Sequence, residues 1–203
     1  TALSAGLVPA AGTRFQSAAG IDDSAARFAG DIQAKAHDEN DLDLVMTMAE
    51  TAGSVIEWLA DSHGLPFSLV TDFDYPGHSR RRMHGLPTRS GQELIDTLRA
   101  QVEALDIPLI CNRRANRLYS GGIRVSGAQL TLPDGSTETV GCDRLILACN
   151  GFGGNRAMVS EYMAEIDNAV WFGHDGNRGE AIHWGHALGA KTRHLGAYQG
   201  HGN

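Results

Sequence analysis

The sequence has little cysteine and little positive charge, and both shortages narrow what the protein can be. Its three cysteines, Cys111, Cys142 and Cys149, are odd in number and form no CxxC pair. That argues against a disulfide framework and against a thiolate metal site. Lys and Arg total 17 against 24 Asp and Glu, a formal charge of −7. A basic surface for a nucleic acid or an anionic membrane is therefore not expected. No apolar run approaches the ~20 residues of a membrane span, so none is expected. No basic-then-apolar leader opens the chain, and a cytoplasmic protein is expected. Nor does the GxGxxG dinucleotide fingerprint occur anywhere in the 203 residues.

Glycine, in contrast, is abundant: 25 of 203 residues, well above the usual ~7%. It clusters at 121–122, 151–154 and 173–202 rather than in a repeat or a linker. Glycine used this way lets backbone adopt left-handed conformations and approach a ligand closely. With 42% hydrophobic and 20% charged residues, the composition is that of a chain with a real core. Its first residue, Thr1, and its last, Asn203, read as the ends of a segment of something longer.

Local patterning predicts several helices. Residues 1–20 are small and almost uncharged, a run expected to be buried or to lie under a ligand. Ser24 opens a helix-like stretch. Val45, Met48, Ala52, Val55, Ile56 and Leu59 then recur at helical spacing and predict one apolar face. Asn40 to Asp43 supply capping oxygens, and Gly64 with Pro66 ends that helix. A further amphipathic helix follows Ser90, with Leu94, Ile95, Leu98, Val102 and Leu105 on one face. Shorter helices are predicted at about 157–163 and 179–188, the latter stopped by Gly189.

Strands are predicted from apolar runs. Residues 107–112 and 144–149 read as parallel strands, the second apolar throughout from Leu145 to Cys149, as in a strand buried on both faces. Residues 122–132 and 136–142 alternate around the turn Pro133-Asp134-Gly135-Ser136, predicting an antiparallel ribbon against that sheet. The expected class is α/β, a parallel sheet with an antiparallel β-meander.

Three groups of residues could carry chemistry. The glycine loop 151–154, between the 144–150 strand and the following helix, could cradle an anion on free backbone N–H groups, or could simply form a tight turn. His183 and His186, spaced i, i+3 on one helix, could chelate a metal. No carboxylate or cysteine stands at a partner spacing, however, so no metal site is expected. Arg80-Arg81-Arg82 with His84 could grip an acidic group or form a solvated face.

The stretch Leu145-Ile146-Leu147-Ala148-Cys149-Asn150-Gly151-Phe152-Gly153, with Asn155 and Tyr162 downstream, resembles the "ILATGGF…N" segment of the fumarate reductase/succinate dehydrogenase-type FAD flavoproteins. The opening Thr1-Ala2-Leu3-Ser4-Ala5-Gly6 resembles that family's "S-x-G" stretch. Asn177-Arg178-Gly179-Glu180, running on to Leu188-Gly189-Ala190, is similar to its "GDG…GA" helix, and Tyr198-Gln199-Gly200-His201 to its "Q-x-H". Ketosteroid dehydrogenases of the same family fit about as well. Two departures stand out: Cys149-Asn150 replaces the usual Thr-Gly, and Glu180 replaces the usual Asp.

The resemblance implies a Rossmann-like FAD-binding three-layer fold, incomplete at the N-terminus. Residues 1–203 would be a segment of the FAD-binding domain. The first βαβ unit and its GxGxxG would precede Thr1, the capping domain would follow His201, and the segment alone would hold FAD weakly. It implies FAD contacts from Thr1, Ser4, Ala5, Gly6, Ala11 and Gly12 near the isoalloxazine, and from Ala115 near adenine. Ala148, Cys149, Asn150 and Gly151 would touch the cofactor through backbone. His201 would be catalytic and substrate-binding, and His84 substrate-binding. The implied activity is hydride transfer between flavin N5 and an activated C–C bond of a small carboxylate or enone, with an electron donor or acceptor that the sequence does not identify. The alternative is a catalytically inactive α/β fragment or association module without bound cofactor.

Overall fold

The structure, a computed structural model, describes residues 2–122 and 124–199. The chain divides into two compact units, one running to Leu109 and one from Ile110.

The first unit is built on three long helices whose starts are set by side-chain caps. In α2 (Ala25–Lys35) the Ser24 hydroxyl accepts from Arg27 N–H, in α3 (Leu42–His63) the Asp41 carboxylate accepts from Leu44 N–H, and in α4 (Gly91–Ala104) the Ser90 hydroxyl accepts from Gln92 N–H. Gly64 ends α3 in the left-handed conformation at φ 65°. A short helix α1 (Arg14–Ala18) was not expected. Its signal is a capping box in which Thr13 and Gln16 each bond the other's backbone N–H. The strands β1 (Val8–Pro9), β2 (Ser68–Leu69) and β3 (Met83–Gly85) form a small antiparallel sheet in the order β1-β3-β2.

The buried face of α3 differs from the predicted one. Val45, Ala49, Gly53 and Ile56 are buried, while Met48 and Val55 are exposed. The reason is close approach. A Cβ on Gly53 would lie 2.8 Å from the Ala11 carbonyl oxygen, so the helix offers its smallest residues to the 10–13 segment. Around that contact lie two clusters, one of Ala10, Ile56, Leu65, Phe67, Leu86 and Leu94, the other of Ala11, Phe28, Ala29, Val45 and Ala49.

The second unit holds a three-stranded antiparallel meander, β4 (Arg114–Gly121), β5 (Arg124–Thr131) and β6 (Thr137–Gly141). The expected turn closes β5 to β6. Gly135 donates to the Leu132 carbonyl and has φ 84°, and Asp134 Oδ1 accepts from Ser136 N and Oγ. β4 was not foreseen, because its polar run Arg114–Gly121 shows no clean alternation. Helix α5 (Arg156–Tyr162), a 3₁₀ turn (Ala164–Ile166) and helix α6 (Glu180–Ala187) follow. Their core is Phe152, Met158, Val159 and Met163.

The structure does not show the predicted parallel sheet. Among the described residues neither 107–112 nor 144–149 is a strand, and both sheets are antiparallel. A strand exists only where a neighbour completes its hydrogen bonds, and these two apolar runs have none. Instead of being buried on both faces, Ile146 is 88% exposed, and Leu109, Ile110, Leu145 and Leu147 are exposed as well.

Candidate functional site

In the first unit the candidate residues Ser4 to Gly12 flank strand β1 in loops, and His84 lies on β3. Ser4 and Ala5 are exposed, Gly6 and Ala11 are buried, and Gly12 is exposed. The loop before β1 is fastened to the start of α4 by Gly91 N–H donating to the Ser4 carbonyl at 2.7 Å, and Gly6 N–H donates back to Ser4 Oγ at 3.1 Å. Gly6 and Gly12 both have left-handed backbone, φ 62° and 71°. The result is a ledge of small residues and bare backbone, open at Ser4, Ala5 and Gly12.

Behind it is a buried polar network that sequence reasoning missed. Arg82 is 0% exposed. Its Nε and Nη2 donate to the two oxygens of Asp23 at 2.9 and 3.1 Å, and its Nη1 donates to Asp31. Gln16 Nε2 also donates to Asp23 (2.9 Å), and Ser79 donates to Asp31 through N and Oγ. The guanidinium lies 4.8 Å from the Phe28 ring centroid. Burial alone would raise both carboxyls, but the Arg82 hydrogen bonds and their other donors outweigh it and hold both below the ordinary carboxylate value. The arginine run is thus not a uniform solvated face. Arg81 pairs with exposed Asp74, whereas Arg82 is internal.

His84 belongs to the same interior. It is 0% exposed, its Nδ1 lies 2.9 Å from the Arg82 carbonyl, and its Nε2 lies 2.9 Å from Thr13 Oγ1. A carbonyl only accepts, so Nδ1 carries the proton and Nε2 accepts from the Thr13 hydroxyl. Both ring nitrogens are therefore engaged within the unit, holding the segment beside Ala11 and Gly12. Burial pushes the His84 imidazole below its ordinary value, against weaker opposing contributions from the Arg82 and Val8 backbone and from Glu57. Burial, reinforced by Arg82, does the same to His78, opposed by Asp31 and Asp23. Such groups bind fewer protons folded than unfolded, so stability falls as pH drops below the unfolded histidine value of about 6.5 towards the lower folded values. We expect denaturant midpoints to decline over that window in the wild type. Replacing His84 by Gln should flatten the decline, and an unchanged slope would show that His84 does not contribute.

In the second unit the 148–154 turn is accessible at Ala148, Cys149 and Asn150, and Gly151 is half-buried. Several N–H groups of the glycine loop and of the start of α5 are engaged within the unit. Gly151 N–H donates to Asn150 Oδ1, Gly154 N–H to the Asn177 carbonyl, Asn155 N–H to the Phe152 carbonyl, and Met158 N–H to Asn155 Oδ1. The glycines serve packing. A Cβ on Gly153 would overlap the Trp171 ring, and one on Gly154 would sit 3.0 Å from the Asp175 carbonyl oxygen. Asn155 caps α5 and ties it to the Arg178 carbonyl at 3.0 Å.

Ala115 lines a cavity of about 290 Å³ together with Arg114, Asn116, Thr131, Glu180 and His183. Arg114 and Glu180 face each other across it at 3.5 Å. His186 is apart from this wall, bonded to Thr192 Oγ1 at 3.1 Å, and no metal-binding group of His, Cys, Asp and Glu occurs among the described residues. Thr1 and His201 lie outside the described residues.

The family model described as "FAD binding domain" matches residues 1–201. The chain belongs to this FAD-binding family. It is 32% identical over 194 residues to an NADH:fumarate oxidoreductase of Klebsiella pneumoniae (strain 342), covering 95% of this chain and 21% of the relative. A solved flavocytochrome c3 fumarate reductase superposes with a TM-score of 0.83 at 26% identity, over 92% of this chain and 33% of that one. A 3-ketosteroid-Δ4-(5α)-dehydrogenase from Rhodococcus jostii RHA1, solved with 4-androstene-3,17-dione, gives a TM-score of 0.84 at 22% identity, over 97% of this chain and 47% of that one. The chain thus spans between 21% and 47% of the length of these proteins.

FAD is the cofactor that the family calls for, and the residues present suit it. Ser4–Gly6, Ala10–Gly12 and the 148–151 turn offer backbone with small side chains, and Ala115 opens onto a cavity. No described helix is long and apolar enough to cross a membrane.

Proposed function

We propose that this chain is the FAD-binding domain segment of a flavin-dependent oxidoreductase that reduces or desaturates an activated C–C bond. The family match over residues 1–201 carries the reading. Bound FAD supplies hydride exchange at flavin N5. The Ser4–Gly6 and Ala11–Gly12 ledge would lie against the isoalloxazine, the Ala148–Gly151 turn would touch the cofactor through backbone, and Ala115 would border adenine. The exposed apolar runs 107–112 and 144–149 favour a Rossmann-like three-layer arrangement in which they become sheet strands. The substrate would be a small carboxylate or an enone, and the enzyme would work in the cytoplasm with an electron partner still to be identified.

His201 would hydrogen-bond the substrate carboxylate or carbonyl and stabilise charge that develops as hydride moves. Substrate-side contact by His84 would require its buried, doubly bonded ring to leave Thr13 and the Arg82 carbonyl, so His201 is the better choice. The test is His201→Ala in the full-length enzyme. Flavin content and melting temperature should hold while turnover falls by about 10²–10³, the loss usual for one donor to developing charge. Full activity would remove the catalytic assignment. A full-length protein that purifies without flavin absorbance would favour an inactive association module instead.

A further inference from the structure

The turn at residue 150 carries a second feature beside its proposed cofactor contact. Asn150 has left-handed backbone, φ 63°, a conformation that asparagine tolerates better than most residues other than glycine. Its side chain folds over its own peptide, so that Oδ1 lies 2.8 Å from the nitrogen of Gly151. The side-chain amide and that nitrogen therefore already face each other across the five atoms that would close a ring. Asn150 is exposed, and an ideal Cβ built on Gly151 meets nothing within 4 Å. Water can reach the bond, and the Gly151 nitrogen side is open, while the Gly151 carbonyl accepts from Gly179 N–H at 3.1 Å.

We infer that Asn150-Gly151 is a site of spontaneous backbone-assisted deamidation. The Gly151 nitrogen, losing its proton to hydroxide, attacks Cγ of Asn150. The new N–Cγ bond closes a succinimide, and the Cγ–Nδ2 bond breaks to release ammonia. Water then opens the ring. Addition at Cγ leaves an ordinary aspartate in an unaltered main chain, and addition at the main-chain carbonyl carbon leaves an isoaspartyl link. No electrons are transferred, and either product adds one negative charge to the formal −7. Holding the two reacting groups together in one turn is what makes the uncatalysed step competitive.

The other asparagines provide internal controls. Asn155 is the most informative, because its Oδ1 accepts from Met158 N–H and its Nδ2 donates to the Arg178 carbonyl. Asn112 shares the left-handed backbone, at φ 56°, but precedes Arg113, whose side chain crowds the attacking nitrogen.

The experiment is ageing of the purified chain at mildly alkaline pH, followed by peptide mapping with fragmentation that separates aspartate from isoaspartate. Conversion should appear first at position 150, with the isoaspartyl form among the products and ammonia released in step. Gly151→Ala, which the open space accommodates, should slow conversion on the order of tenfold by restricting the backbone at the attacking nitrogen. Asn150→Gly should abolish ammonia release from this peptide, with circular dichroism confirming that both variants remain folded. Retention of the Asn150 amide while Asn112 or Asn155 converts would overturn the inference. So would an unchanged rate in Gly151→Ala.

Discussion

Replacing Arg82 with leucine is expected to cost the first unit about 3–5 kcal/mol, the penalty for breaking a buried ion pair from one side. Much of that penalty is the charge left behind. Asp23 has a fully buried side chain and would lose both guanidinium hydrogen bonds, and Asp31 would lose a third. Set against a total stability of roughly 5–15 kcal/mol, the loss is large enough to leave part of the population unfolded. Arg82→Lys should recover only part of it, since an ammonium cannot grip Asp23 through two parallel bonds and reach Asp31 as well. Combining Arg82→Leu with Asp23→Asn should be milder than Arg82→Leu alone. The difference between wild type and Arg82→Leu should also narrow in acid. The wild type loses stability as its depressed carboxyls protonate, while the variant's buried Asp23, deprived of the guanidinium, gains by becoming neutral. Urea midpoints across pH measure all of this, and a single-mutant loss below about 1 kcal/mol, typical of exposed pairs, would show that the network is not buried in solution.

Gly6→Ala is expected to be the most damaging change on the proposed flavin ledge, for two separable reasons. A residue with a Cβ at φ 62° costs about 1–2 kcal/mol in the left-handed region. The added carbon would also sit 2.7 Å from the Ser90 carbonyl oxygen, which is backbone at the cap of α4 and cannot swing away as a side chain could. Forcing the two apart adds roughly 1–3 kcal/mol. Gly12→Ala is the control, because its φ is 71° but its Cβ would meet nothing closer than the Asp23 carbonyl oxygen at 3.8 Å. Melting curves should therefore rank Gly6→Ala well below Gly12→Ala. Faster hydrogen exchange at Gly91 N–H, the donor to Ser4, would locate the damage at the loop-to-helix junction. Equal losses at the two glycines would mean that the close approach to Ser90 does not exist.

Features that depend on a few consecutive residues were legible in the sequence. Ser24, Asp41 and Ser90 start helices where their oxygens reach an N–H two or three residues on, and Gly64 stops one because it accepts positive φ. The turn at Pro133–Ser136 closes for the same kind of reason. Even the missed helix α1 had its Thr13–Gln16 signal in plain view. The motifs at 1–6, 145–155 and 177–190 likewise sufficed to place the chain in its FAD-binding family. Features that depend on distant partners were not legible. An apolar run such as Leu145–Cys149 reads the same whether or not a neighbouring strand exists, and only the fold showed it unpaired and exposed. Three consecutive arginines look alike in sequence, yet Arg82 alone turns inward, to carboxylates 51 and 59 positions away. His84 suggested a ligand until both its nitrogens were found bonded to Thr13 and to the Arg82 carbonyl. Capping and turn energies act within one turn of chain, whereas burial of charge is decided by whatever the fold brings together.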